Sequence, residues 1–253
     1  MCYKLTMSIK DSFNEVFGDK SKVLIVTAHP DDNEIICGGI VARLIAEGKH
    51  VRLVVTTNGG KGFQDRDDIV EAEFAKLRVK EQILAGLSLG IPESENFNLG
   101  IPDGEVENTM PNIEKIVFHI RQFRPDIIIT HNPFDPINTF NEETRWVNHR
   151  DHRNTASIVL DATYPYSRDR GFFPEHFSKI GLKPHIVREL LFSDSYSYPD
   201  VKYFEITKYM DIKEKALLVH ENALTPEDIK EEFLEETNLE PGRNFERLKH
   251  VKI

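Results

Sequence analysis

Short apolar runs alternate with longer amphipathic ones through the first half of the chain. "KVLIVTA" (22–28), "HVRLVVTT" (50–57) and "IIIT" (127–130) are nearly all apolar and rich in β-branched residues, as expected of strands buried on both faces of a parallel sheet. Between them the spacing predicts helices. From about Asn33 to Glu47, Ile36, Ile40 and Leu44 recur every four residues and Gly48 closes the run. Further helices are expected from about Val70 to Leu89 and from about Asn112 to Phe123. "ENFNLGIPDGEV" reads as a short strand with a turn at Pro102-Asp103-Gly104. Strand and helix alternating over short connections predict an α/β fold: a Rossmann-like, mostly parallel sheet flanked by helices.

The second half is less regular. A polar loop is expected over 132–148, then a helix to about Thr163 and an extended surface connection over 164–186. Strands are expected at 188–196 and 203–207, and a helix from Asp211 to Glu221. "TPEDIKEEFLEE" (225–236) has a capping Thr, a Pro at the first helical position and acids in the first turn, so it reads as a solvated acidic helix. With no repeat and no low-complexity linker, the expectation is one domain over 1–253 with its core in 22–222.

Composition narrows the function classes. A net charge of −10 argues against a broad nucleic-acid footprint. No apolar stretch approaches the roughly 20 residues of a membrane span. The first residues, "MCYKLTMSIKDSF", lack the apolar core of a secretory signal. Two cysteines, Cys2 and Cys37, make no disulfide framework, and Cys37, among isoleucines, reads as a buried small hydrophobe. A cytoplasmic protein is expected.

The chemistry concentrates at two strand-to-helix junctions. "TAHPDDNEIICGG" (27–39) sets one His and two adjacent Asp after the first strand. One Asp would serve to cap the helix. Two repel each other and ask for compensating positive charge, and a divalent metal supplies it. "NHRDHRNT" (148–155) follows the 127–130 strand and opens a helix on which His149 and His152 share a face with Ala156, Val159 and Thr163. In open α/β sheets both junctions lie at the ligand-binding rim. Two His and a carboxylate form a ligand set for catalytic zinc: His29 and Asp32 from one loop, a single His from the helix. One Asp and one His then remain beside the metal for base and oxyanion roles. His131, at the end of its strand, competes as a ligand or supports one from behind. The remaining histidines, including His119 and His220, show no ligand spacing and read as structural or surface residues.

These residues resemble the PIG-L/LmbE family of zinc-dependent N-deacetylases. "AHPDDNEIICGG" is similar to the family's first motif, and "HRDHRNTASIVLDA" to its His-x-Asp-His motif and following helix. "LRVKEQILAGLSLGI", "LGIPDGEV", "RPDIIITHNP" and "DIKEKALLVH" match further motifs in order over about 22–222. The resemblance implies Zn2+ held by His29, Asp32 and His152, Asp31 as the general base, and His149 stabilising the oxyanion with Asp151 keeping its imidazole charged. It also implies contacts from Arg78 and Asp103 to an amino-sugar substrate, and a homo-oligomer. For Arg78 the bland alternative is an ion pair with a neighbouring acid.

Two departures stand out: Arg150 where the family often has Pro, and "HENAL" (220–224) where it commonly has Ser-Gln after the His. Neither removes a proposed ligand or base. Trp146, the only tryptophan, anchors the 132–148 loop or faces substrate. The implied reaction is removal of an N-acetyl group from an N-acetylglucosamine-type conjugate. The alternatives are an amidase for larger thiol or antibiotic conjugates and a non-catalytic sugar-binding domain. A dinucleotide site is disfavoured, because no G-x-G-x-x-G follows the first strand.

Overall fold

The computed structural model describes residues 8–63, 68–139, 144–196 and 198–253; Cys2 and parts of the loops predicted after the second and fourth strands lie outside them. The strands are β1 (Lys22–Thr27), β2 (His50–Thr57), β3 (Asn96–Ile101), β4 (Ile127–Thr130), β5 (Ile137–Thr139), β6 (Arg145–Val147), β7 (Glu189–Phe192), β8 (Val201–Glu205), β9 (Asn238–Glu240) and β10 (Arg243–Lys252). The helices are α1 (Phe13–Phe17), α2 (Asp32–Ala46), α3 (Glu71–Leu89), α4 (Met110–Phe123), α5 (Arg150–Asp161), α6 (Glu175–Ser178) and α7 (Met210–Leu217).

The sheet runs β3-β2-β1-β4-β7-β10-β8, with β9 attached to β10. From β3 to β7 every pairing is parallel, and β10 is antiparallel to both β7 and β8. Alternation along β1 sends Val23 and Ile25 to one core, with α1, α2 and α7, and Leu24 and Val26 to the other, with α4 and α5. The α/β, mostly parallel architecture agrees with the reading of the sequence.

Several elements differ from it. The 132–148 segment contains the antiparallel pair β5–β6 rather than loop alone. The 225–236 segment keeps its capping box at Thr225 and Asp228, but only Pro226–Asp228 is α-helical before the chain widens into a π-type turn. β10 has no counterpart in the sequence reading. Its buried apolar residues, Phe245 and Leu248, are three apart among charged neighbours, a spacing that does not read as a strand. It nevertheless inserts between β7 and β8, so the sheet draws on residues well beyond 222.

Helix α2 breaks at Cys37, which leaves helical geometry at φ −150°. The break frees backbone groups that must find other partners. Glu246 of β10 accepts from the Gly39 and Ile40 amides at 2.9 and 2.7 Å. Lys213 of α7 donates to the Ile35 carbonyl and to Glu246, each at 2.7 Å. The missing strand thus fixes the helix that carries Asp32. A Cβ on Gly39 would lie 2.7 Å from the Ile206 side chain, so only glycine permits this approach.

Candidate metal centre and active site

Four chain segments converge at the carboxyl ends of β1 and β4. Register pairs Val26 with Thr130, so the residues just beyond these strands, the 28–32 turn and His131, lie side by side. Helix α5 starts opposite them, and the turn after β3 brings Asp103.

Neither Asp31 nor Asp32 is used as a cap. Asp31 stands at the N-cap position without a side-chain cap bond. Asp32 turns backward, and its Oδ2 accepts from the Ala28 and His29 amides at 3.1 and 2.7 Å. That leaves Asp32 Oδ1 3.2 Å from His152 Nε2. His29 Nδ1 is 3.2 Å from His152 Nε2 and 3.4 Å from Asp32 Oδ2. Four-coordinate zinc with bonds of about 2.0–2.1 Å requires ligand atoms about 3.3 Å apart. His29 Nδ1 and His152 Nε2 stand at that spacing from each other, and the Asp32 carboxylate meets each of them through a different oxygen.

The other nitrogen of His29 has its own partners. His29 Nε2 faces Asp103 Oδ1 at 3.3 Å and Asp151 Oδ2 at 3.6 Å. Asp103 is held by the Lys61 amide at 3.0 Å, and Asp151 by the Gly104 and Val106 amides at 2.7 and 3.1 Å. Burial opposes a charge on His29, but Asp103, Asp151 and Asp32 outweigh it and hold the ring well above the usual imidazole range. The position is built for positive charge, which a proton or a divalent cation supplies.

His131 is fully buried and stacks on His152, ring centroids 3.9 Å apart and 9° from parallel. Its Nε2 meets Asp32 Oδ2 at 3.1 Å and its Nδ1 meets Asp194 Oδ2 at 3.5 Å. Burial lowers its pKa, yet the two carboxylates raise it to about 9. Asp32, also buried, is held well below the usual carboxylate range, burial being outweighed by His152 and His131. Asp194 lies at φ 54°, a left-handed conformation rare outside glycine.

The sequence-predicted set is therefore brought together, with three differences in contact. Arg78 is 3% exposed and bonded to Asp31 Oδ2 at 2.7 Å and Glu81 at 3.0 Å, the ion-pair alternative rather than an open sugar contact. Asp103 is committed to His29. Asp151 bonds His149 through its backbone amide, which donates to Nδ1 at 3.2 Å, while the pull of its carboxylate toward a charged ring is outweighed. Burial and the adjacent His29 and His152 push His149 below the usual imidazole range, which leaves a neutral ring with its proton on Nε2.

Sequence reasoning missed Asp194, which carries no motif, and left His220 among structural or surface residues without placing it near the site. That histidine is fully buried, with Nδ1 3.4 Å from Arg78 and Nε2 3.3 Å from Glu34. Its signal was the "DIKEKALLVH" match, in which His ends the helix.

Comparison with known proteins gives the family and the fold. The model of the PIG-L family, described as GlcNAc-PI de-N-acetylase, matches residues 24–163, more than half of the chain. A diacetylchitobiose deacetylase of Thermococcus kodakarensis is 28% identical over 216 residues, covering 85% of this chain and 74% of that protein. A 1D-myo-inositol 2-acetamido-2-deoxy-alpha-D-glucopyranoside deacetylase of Saccharomonospora viridis is 31% identical over 140 residues, 44% of this chain and 50% of its own length. The N,N'-diacetylchitobiose deacetylase structure from Pyrococcus horikoshii shares the fold, with a TM-score of 0.79 at 22% identity over 97% of this chain and 88% of that one. Among the described residues no helix is long and apolar enough to cross a membrane.

Proposed function

The chain belongs to the PIG-L family, and from that premise we propose that it is a zinc-dependent N-deacetylase. It hydrolyses the N-acetyl amide of an N-acetylglucosamine-type conjugate to acetate and a free amine. The observation that carries this reading is that His29 Nδ1 and His152 Nε2 lie 3.2 Å apart and both meet the Asp32 carboxylate, His152 at Oδ1 (3.2 Å) and His29 at Oδ2 (3.4 Å), with Asp31 as the adjoining carboxylate in the chain.

His29, Asp32 and His152 would hold the metal, with Asp103, Asp151 and His131 orienting these ligands from behind. When bound, zinc polarises the amide carbonyl and acidifies a water. Asp31 takes the proton of the attacking water and passes it to the departing amine nitrogen. Arg78 fixes the orientation of Asp31. His149, its Nδ1 occupied by the Asp151 amide, donates from Nε2 to the oxygen on which negative charge develops. The same reading makes the protein a homo-oligomeric, cytoplasmic enzyme with a small-molecule substrate.

The test is free-amine release by the zinc-loaded protein from N-acetylglucosamine, its β-1,4 disaccharide and its inositol- and malate-linked forms. Turnover of one member is expected, and Asp31→Asn should keep zinc but lose at least a hundredfold in rate, the scale of general-base catalysis. His152→Ala should lose the metal itself. A fully active Asp31→Asn protein, or one unable to bind zinc, would sink the assignment.

A further inference from the structure

Beyond α7 the chain turns through "HENAL" (220–224), one of its two departures from the family pattern. The turn is closed on itself. The His220 amide donates to the Leu217 carbonyl at 3.0 Å, and the His220 carbonyl accepts from the Ala223 and Leu224 amides at 3.0 and 2.9 Å. Two of its side chains reach back to the ion pair that holds Asp31. His220, closed to solvent, accepts at Nδ1 from Arg78 Nη1, 3.4 Å away. That fixes its tautomer, so Nε2 carries the proton toward Glu34 Oε2 at 3.3 Å. Asn222 donates twice to Glu81 Oε1, from its backbone amide at 3.1 Å and from its side-chain amide at 2.6 Å.

These contacts divide the Arg78 guanidinium between two carboxylates. Nη1 donates to Glu81 Oε2 at 3.0 Å and to His220, and Nη2 donates to Asp31 Oδ2 at 2.7 Å. A guanidinium and a carboxylate with no other partners favour a fork, two parallel bonds that use both oxygens. Glu81 is buried and lies three residues beyond Arg78 on α3, where side chains are neighbours, so it competes with Asp31 for the second nitrogen. Asn222 fills Glu81 Oε1 with two N–H groups. Glu81 then has one oxygen for Arg78, and Nη2 is left to Asp31.

We propose that Asn222 is a positioning residue for the base: by occupying one oxygen of Glu81 it keeps Arg78 bonded to Asp31. The proposal rests on the deacetylase reading, in which Asp31 takes the proton of the attacking water. Asn222 acts through two side chains, Glu81 and Arg78, and touches neither substrate nor metal. Its loss turns the Asp31 carboxylate away from that water, which slows the chemical step and leaves substrate binding as it was.

The experiment measures kcat and KM of the zinc-loaded wild type, N222A, E81Q and E81Q/N222A. The substrate is whichever of N-acetylglucosamine, its β-1,4 disaccharide and its inositol- and malate-linked forms the wild type turns over fastest. Rates are taken per bound zinc, so misfolded chains that hold no metal do not count. In N222A kcat should fall about tenfold, with KM and zinc content unchanged. A glutamine at position 81 lacks the charge to claim the guanidinium, so E81Q/N222A should recover about threefold over N222A. Two changes that only loosened the fold would compound, and the double variant would be slower still. Wild-type kcat in N222A, a change confined to KM, or a double variant no faster than N222A overturns the inference and leaves the deacetylase standing. A wild type that binds zinc but releases amine from none of the four overturns both.

Discussion

The Arg78 guanidinium donates to Asp31 Oδ2 at 2.7 Å from a position almost closed to solvent. The base proposed for the reaction is thus held by a cation that Glu81 and His220 fix in turn. Arg78→Met should leave Asp31 and Glu81 without their partner and cost about 3 kcal/mol, as breaking a buried ion pair does. It should also lower kcat with zinc content unchanged. Urea unfolding, metal analysis and steady-state kinetics check this together. A rise in KM alone, at unchanged kcat, would instead make Arg78 a sugar contact.

Asp194 carries a prediction about the metal. It supports His131, which bonds the Asp32 carboxylate and stacks on His152. Partners of this kind typically matter 10–100-fold in metal affinity. Asp194→Asn should therefore weaken zinc binding by about that factor while the fold is retained. Competition against a chelating dye measures it, and an unchanged zinc affinity would reduce the pair to packing.

What the sequence disclosed follows a physical division. β1, α2 and β4 were legible because fully buried strands are apolar throughout and their helices repeat at about 3.6 residues. The proposed ligand set was legible because its residues lie in two short motifs at strand ends. β10 was not, because its partners in β7 and β8 lie 40 to 63 residues away and Glu246 spends its charge inside the protein. The contacts of Asp103 and His149 were equally hidden, and for Arg78 the sequence offered an ion pair with an acid without saying which. The structure gathers these residues near one another, but which neighbour each bonds depends on turns and helix starts that residue type does not encode. Whether His220 was structural or on the surface could not be read from the sequence because its partners, Arg78 and Glu34, come from two other helices.

Stability should depend on pH through His119, which lies away from the metal centre. Its ring is 5% exposed, 4.7 Å from the Phe97 ring, and its Nδ1 has no hydrogen-bond partner. Burial, helped by Arg52, pushes its pKa from 6.5 down to about 4. At pH above 6.5 both folded and unfolded chains hold it neutral, and the contribution is constant. As pH falls below 6.5 the unfolded chain takes up the proton first, so stability declines until about pH 4 and then levels off. The loss from this group amounts to roughly 3 kcal/mol. Urea titrations of the metal-free protein across this window should show it, and His119→Leu should flatten the decline.

The buried Lys213–Glu246 pair tests how α2 tolerates its break. Both side chains are essentially closed to solvent, and together they satisfy the Ile35 carbonyl and the Gly39 and Ile40 amides. Lys213→Met leaves a carboxylate buried without its cation, and Glu246→Gln leaves an ammonium without its anion. Each should cost about 3–5 kcal/mol, because the uncompensated charge stays in a poorly polarisable interior. The double variant removes both charges but keeps the glutamine carbonyl as an acceptor for one of the two amides. It should therefore be more stable than the sum of the single losses by at least 1 kcal/mol. Denaturant midpoints of the four proteins close the cycle, and strict additivity would mean that the pair is not coupled and the break is held by packing against Ile206.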